Sequence, residues 1–76
     1  MLSCLNRLSE GQRGRVVSLE SQGSMRRRLQ DIGLVEGTEV ECVLKSPAGD
    51  PVAYQIRGAL IALRAEDSRQ VLVAKG

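Results

Sequence analysis

Apolar positions in this chain come in short runs separated by glycine. Arg15-Val16-Val17-Ser18-Leu19-Glu20 reads as a first strand, framed on its N-terminal side by Gly11 and Gly14, with its alternation broken at Val16-Val17. Met25, Leu29 and Ile32 then fall at i, i+4 and i+7, which is one face of a helix. Ser24 is the candidate N-cap, and Gly33 stands at the C′ position where a helix stops. Two helical turns are marginal alone, so packing must hold them in place. After a turn at Glu36-Gly37, the segment Thr38–Lys45 alternates, with Val40, Cys42 and Leu44 expected inward and Glu39, Glu41 and Lys45 outward.

Ser46-Pro47-Ala48-Gly49-Asp50-Pro51 is dense turn chemistry. Pro47 presets a turn, Gly49 permits a positive φ, Pro51 pushes Asp50 towards an extended backbone, and Asp50 is expected to accept from amides of its own turn. Val52, Tyr54 and Ile56 alternate on the next strand, and Arg57-Gly58 turns the chain tightly into Ala59–Leu63. Arg64–Gln70 is polar and fits one helical turn, and Val71-Leu72-Val73 is a closing strand. The predicted fold is therefore mainly β: about five strands and one short α-helix. So few elements cannot cover two large sheet faces, so the sheet should curl into a small barrel, with the helix plugging one end and closure hiding the strand edges.

Composition narrows what such a domain can do. At 76 residues the chain is a single domain, 1–76. With 42% hydrophobic residues and a net charge of +2, it is not a disordered chain. Total stability should be roughly 4–11 kcal/mol at this length. There is no His, and Tyr54 is the sole aromatic. The usual general base near neutral pH is thus missing, nothing pairs a nucleophile with a base, and no catalytic residue is assigned. Cys4 and Cys42 make neither a disulfide scaffold nor a zinc site, and no metal or cofactor is expected. No apolar run is long enough to span a membrane, and the opening residues lack the pattern of a signal peptide, so a reducing cytoplasm is the expected compartment.

Charge is unevenly placed. Residues 1–30 carry a net +4 and residues 31–76 a net −2, so the N-terminal half can face an acidic partner. Arg26-Arg27-Arg28 is the strongest basic run, but successive helix positions lie about 100° apart and do not form one patch. Arg28 falls at the border of the Met25/Leu29/Ile32 face, where its stem can pack and its head can reach a carbonyl or carboxylate. Arg26 and Arg27 point away from that face and are candidates for partner contact. Leu34 and Val35 are adjacent apolar residues in a short turn, so both cannot easily point inward. One exposed apolar side chain beside a basic rim is the anatomy of a docking patch, and Arg26, Arg27, Leu34 and Val35 are its candidates. Arg28, Leu29, Gly33, Gly37, Gly49, Asp50, Pro51 and Gly58 are assigned structural roles. Gly49-Asp50-Pro51 is no phosphate loop, because no GK[ST] follows it and no helix starts there. Cys42, on the inward phase of its strand, reads as a buried small apolar residue. Glu39 and Glu41 share a strand face but lack a third metal ligand at suitable spacing.

Several spaced motifs between Arg27 and Val73 resemble one known family. Arg28-Leu29, Ile32-Gly33-Leu34, Glu36-Gly37 and Val40 are similar to the pattern R-L-x-x-L-G-[LV]-x-P-G-x-x-V. Pro47 with Gly49-Asp50-Pro51 resembles P-x-G-D-P. Gly58, Leu60 and Ala62-Leu63-Arg64 resemble G-x-x-L-A-L-R, and Val71 with Val73 resembles I-x-V. These are motifs of the FeoA family, small accessory proteins of bacterial ferrous iron uptake, and the resemblance runs from about Leu8. Ile32 replaces the usual Leu, and Glu36 replaces the usual Pro. The resemblance implies an SH3-like β-barrel. It implies as partner FeoB, a membrane transporter of ferrous iron with a cytosolic GTP-binding domain. The expected protein is a non-catalytic cytoplasmic adaptor, recruited to the inner face of the membrane by that partner, with no nucleic acid, no membrane insertion, and self-association weak at most. The runner-up is a small-barrel nucleic-acid-binding or metal-dependent-repressor-associated module. The N-terminal arginines permit it, but one Tyr gives almost no stacking platform and no recognition helix is apparent.

Overall fold

The computed structural model describes residues 1–75. Six strands form one antiparallel sheet: β1 (Leu2–Cys4), β2 (Arg13–Leu19), β3 (Glu39–Lys45), β4 (Val52–Ile56), β5 (Ala59–Leu63) and β6 (Val71–Lys75). Helix α1 (Gly23–Asp31) links β2 to β3, and the short α2 (Ala65–Ser68) links β5 to β6. The strand order is β1-β6-β2-β3-β4-β5. The mainly β fold with one substantial helix is as predicted, with one strand more than expected. The addition, β1, pairs Leu2, Ser3 and Cys4 with Ala74, Val73 and Leu72. Three residues are too few for an alternation to show in sequence.

Two bulges set which side chains face the core. In β2, Val16 pairs with Val73 and Ser18 with Leu72, so Val17 is the extra residue. The broken alternation at Val16-Val17 is this bulge: Val16 is buried and Val17 is exposed. In β3, Cys42 pairs with Tyr54 and Leu44 with Ala53, which leaves Val43 unpaired. The extra residue reverses the phase of the strand's end. Leu44, expected inward, is instead 62% exposed, and Val43 beside it is 39% exposed.

The core gathers Val16, Val40, Cys42, Tyr54, Ile56 and Val73 from the strands, with Leu29 from α1 and Leu34 from the turn after it. Met25 and Ile32 pack half-buried at its border. The N-cap of α1 is Gln22, without a side-chain bond, and not the expected Ser24. Gly23, at φ +66°, opens the helix two residues earlier.

The other end of α1 follows the sequence reading. Gly33 sits at C′ with φ +105°. Its N–H donates to Gln30 O, and the Leu34 N–H donates to Leu29 O, each at 3.0 Å. That double bond pattern satisfies two of the helix's orphan carbonyls and folds Leu34 back onto Leu29. A Cβ at Gly33 would lie 2.6 Å from Arg57 Cδ, so glycine is required by close approach as well as by φ. The Arg57 stem therefore lies against the end of α1, placing the β4–β5 hairpin beside the helix.

Candidate functional site

The surface of α1 and its two flanks carries the residues singled out in sequence. On one flank, Arg26 Nη1 donates to Leu19 O at 3.1 Å, tying the helix to the end of β2. Arg26 shares a shallow hollow of about 240 Å³ with Val17, Leu34, Val35 and Glu36. Val35 is 37% exposed there, whereas Leu34 has no exposed surface. Leu34 is therefore corrected from a docking candidate to a core residue. Arg27 projects from the neighbouring face, beside Gly23, Ser24 and Asp31. The structure thus brings Arg26 and Val35 together and sets Arg27 apart.

On the other flank, Arg28 Nη2 donates to Asp67 Oδ2 on α2. The Arg28 side chain is 59% exposed and that of Asp67 only 11%, so the pair straddles the core boundary. The buried acid gains a cationic partner, while the Arg stem covers the side of Met25 and Ile32. Asp50 does not bond its own turn as expected. Its Oδ1 accepts from the Ala65 N–H at 2.8 Å. This satisfies an orphan donor at the start of α2 and fastens the 46–51 turn to that helix. The Asp50–Pro51 peptide is cis, and Gly37, Gly49 and Gly58 all have positive φ. Between α1 and β5 lies an open groove of about 570 Å³, lined by Met25, Arg28 and Ile32 on one side and Ile61, Leu63 and Arg64 on the other.

Among the described residues, no three His, Cys, Asp or Glu side chains come together to hold a metal ion. Glu41 lies 3.3 Å from Arg13 Nε across the β2–β3 pair, so one of the two acids on that face is already partnered. Cys42 is fully buried, and burial, partly offset by Lys45, pushes its thiol pKa up. A thiol reagent under native conditions should label Cys4, which is half-buried, at least about tenfold faster than Cys42. Equal rates, followed by mass spectrometry of tryptic peptides, would contradict the burial of Cys42.

A profile of the FeoA domain matches residues 4–75. The chain belongs to the FeoA family. A Porphyromonas gingivalis protein named as a fusion of Fe(2+) transport protein A with the Fe(2+) transporter FeoB is 33% identical over 69 residues. That match takes in 91% of this chain and 8% of the fusion protein, so the chain spans a small fraction of that relative. A FeoA-like protein of Clostridium acetobutylicum superimposes with a TM-score of 0.90 at 31% identity, covering 97% of this chain and 86% of that one. The Stenotrophomonas maltophilia FeoA, solved with zinc and described as a prokaryotic SH3 domain protein, has a TM-score of 0.82 at 31% identity, covering 92% of this chain and 87% of that one. The chain accordingly has the SH3-like architecture expected of it.

One feature of the sheet was not read in the sequence. The expectation that closure would hide strand edges fails at β5, which ends the strand order and has a neighbour on one side only. The signal was available in Ala59-Leu60-Ile61-Ala62-Leu63, a run with no charge, proline or glycine.

Proposed function

We infer that this chain is a non-catalytic accessory protein of ferrous iron uptake that docks on the cytosolic region of a FeoB-type transporter and modulates it. The fusion of the same domain to FeoB in the Porphyromonas gingivalis relative supports this most directly. Domains joined in one chain work at one place, and linkage raises their mutual concentration to the order of millimolar. The protein then acts at the cytoplasmic face of the membrane, held there by its partner. No helix among the described residues is long and apolar enough to cross a membrane.

Arg26 and Arg27 are exposed on neighbouring faces of α1, and Val35 is an exposed apolar residue on the Arg26 flank. In this reading the two arginines steer encounter with an acidic surface, which affects association more than residence. Arg26→Glu/Arg27→Glu, checked for folding because Arg26 also bonds Leu19 O, should slow association with the transporter's cytosolic region about tenfold at low salt. The difference should shrink as salt rises and screening shortens the field. Biolayer interferometry with immobilised cytosolic region, with and without guanine nucleotide, measures this. Unchanged association rates for this variant and for Val35→Ser would move docking off this flank. No binding by the wild type in any nucleotide state would sink the transporter reading.

A further inference from the structure

We propose that the open edge of β5 is a strand-addition site for an extended segment of the transporter's cytosolic region with apolar residues at alternate positions. The proposal rests on the reading of the transporter as partner. The turn at Arg57-Gly58 has two residues, with φ +50° and +82°, and Ile56 and Ala59 form the closing pair. In such a hairpin the closing pair exchanges both of its backbone bonds, and every second pair after it does the same. Ala59, Ile61 and Leu63 therefore bond to β4, while Leu60 and Ala62 turn their N–H and C=O groups outward. Among the described residues, no backbone group outside the ladder and no side chain bonds to any residue of β5.

This edge has none of the usual protections. It carries no charge, no proline and no bulge, and its register with β4 is unbroken. The sheet's other end, β1, is only three residues long. The side chains of β5 itself are apolar on both faces. On the outer face, Leu60 is 62% exposed, and Ala62, Ala53 and Leu44 form a row beside it across the sheet. On the inner side lies the groove against α1, where Met25 and Ile32 stand beside the charged Arg28, Arg64, Glu66 and Asp67. An added strand would set alternate side chains beside Leu60 and Ala62 and the intervening ones in the groove. That geometry selects a short segment that is apolar at the positions beside Leu60 and Ala62 and polar at the positions facing the groove.

A second copy of this chain fits less well. It offers only β1 or β5 as a free strand, and pairing over five residues falls short of the roughly 1,000 Å² that a lasting interface buries. A partner already linked or confined nearby does not need that area, and the fused relative places FeoB in that position.

Amide hydrogen exchange by NMR on the labelled chain, with and without the transporter's cytosolic region, reads the proposed bonds directly. In the free chain the Leu60 and Ala62 amides should exchange fast, and binding should slow both at least tenfold. Ala62→Pro removes an edge N–H without touching the β4 ladder and should weaken binding at least tenfold. If that variant does not fold, Leu60→Lys, which keeps the backbone and places a charge on the edge, should do the same. Binding that leaves both amides unprotected, with wild-type affinity in the folded variant, overturns the β5 assignment and leaves the transporter reading standing. Absence of wild-type binding overturns both. Protection that rises with the concentration of the chain alone assigns the edge to a second copy and also overturns the proposal.

Discussion

Leu29→Ala should lower the unfolding free energy by roughly 2–4 kcal/mol, the cost of deleting a large aliphatic side chain from a closed site. Leu29 is the only fully buried side chain of α1, and it sits between the half-buried Met25 and Ile32. Its loss opens a cavity at the one place where the helix enters the core, and Leu34, folded back onto it through the Leu34 N–H to Leu29 O bond, loses its neighbour as well. The remaining ties of α1 are few. The Arg28–Asp67 pair straddles the core boundary and ties α1 to α2, and the Arg26 bond to Leu19 O sits at the surface, where such contacts contribute about 1 kcal/mol or less. A domain of this length has about 4–11 kcal/mol in total, so the substitution removes a large share of it. Chemical denaturation gives the number, and Gln30→Ala, exposed on the same helix, is the control expected to stay within about 0.5 kcal/mol. A Leu29→Ala midpoint equal to that of the control would mean that α1 is not anchored through this residue.

How much of this was legible beforehand depends on how local the cause is. The helix was readable because Met25, Leu29, Ile32 and Gly33 carry both its face and its stop. The same stop contained the answer to Leu34 and Val35. With Gly33 at C′, Leu34 occupies the following position, whose side chain habitually packs against the residue five or six places back, so Leu34 was the one to be buried. Bulges were half legible. Val16-Val17 broke the alternation and showed one. Val43 broke nothing, because Val40, Cys42 and Leu44 alternate cleanly in sequence, and only pairing with β4 reveals that Leu44 has changed sides. Contacts between distant residues left no trace. Nothing local to Asp50 names the Ala65 amide, and nothing local to Arg28 names Asp67. The open edge of β5 falls between these cases: its undefended composition was visible, but its place at the end of the sheet is a property of strand order.

Tyr54→Ala should cost roughly 3–5 kcal/mol, the largest effect expected of any single substitution here, and leave much of the population unfolded. Tyr54 is the one aromatic ring, fully buried at the centre of β4, opposite Cys42 on β3 and Ile61 on β5. No other residue of that size is available to fill the space. Tyr54→Phe separates the ring from its hydroxyl. Tyr54 Oη is buried with no partner in good hydrogen-bond geometry, so its desolvation is poorly compensated, and Phe should leave stability at neutral pH within about 1 kcal/mol of wild type. The alkaline behaviour should differ. Burial, partly opposed by the Ser68 side chain, pushes the phenol above its ordinary value near 10. Above that pH the unfolded chain releases the phenolic proton while the folded chain still holds it. The unfolded state then binds fewer protons, so stability falls as pH rises. Cys42, also raised by burial, adds a fall of the same sign that begins about one pH unit lower. Denaturant titrations from pH 7 to 11 should therefore show wild type losing stability above about pH 10 more steeply than Tyr54→Phe, with the Cys42 component common to both. Parallel curves for the two proteins would mean that the Tyr54 hydroxyl is solvated in the folded state.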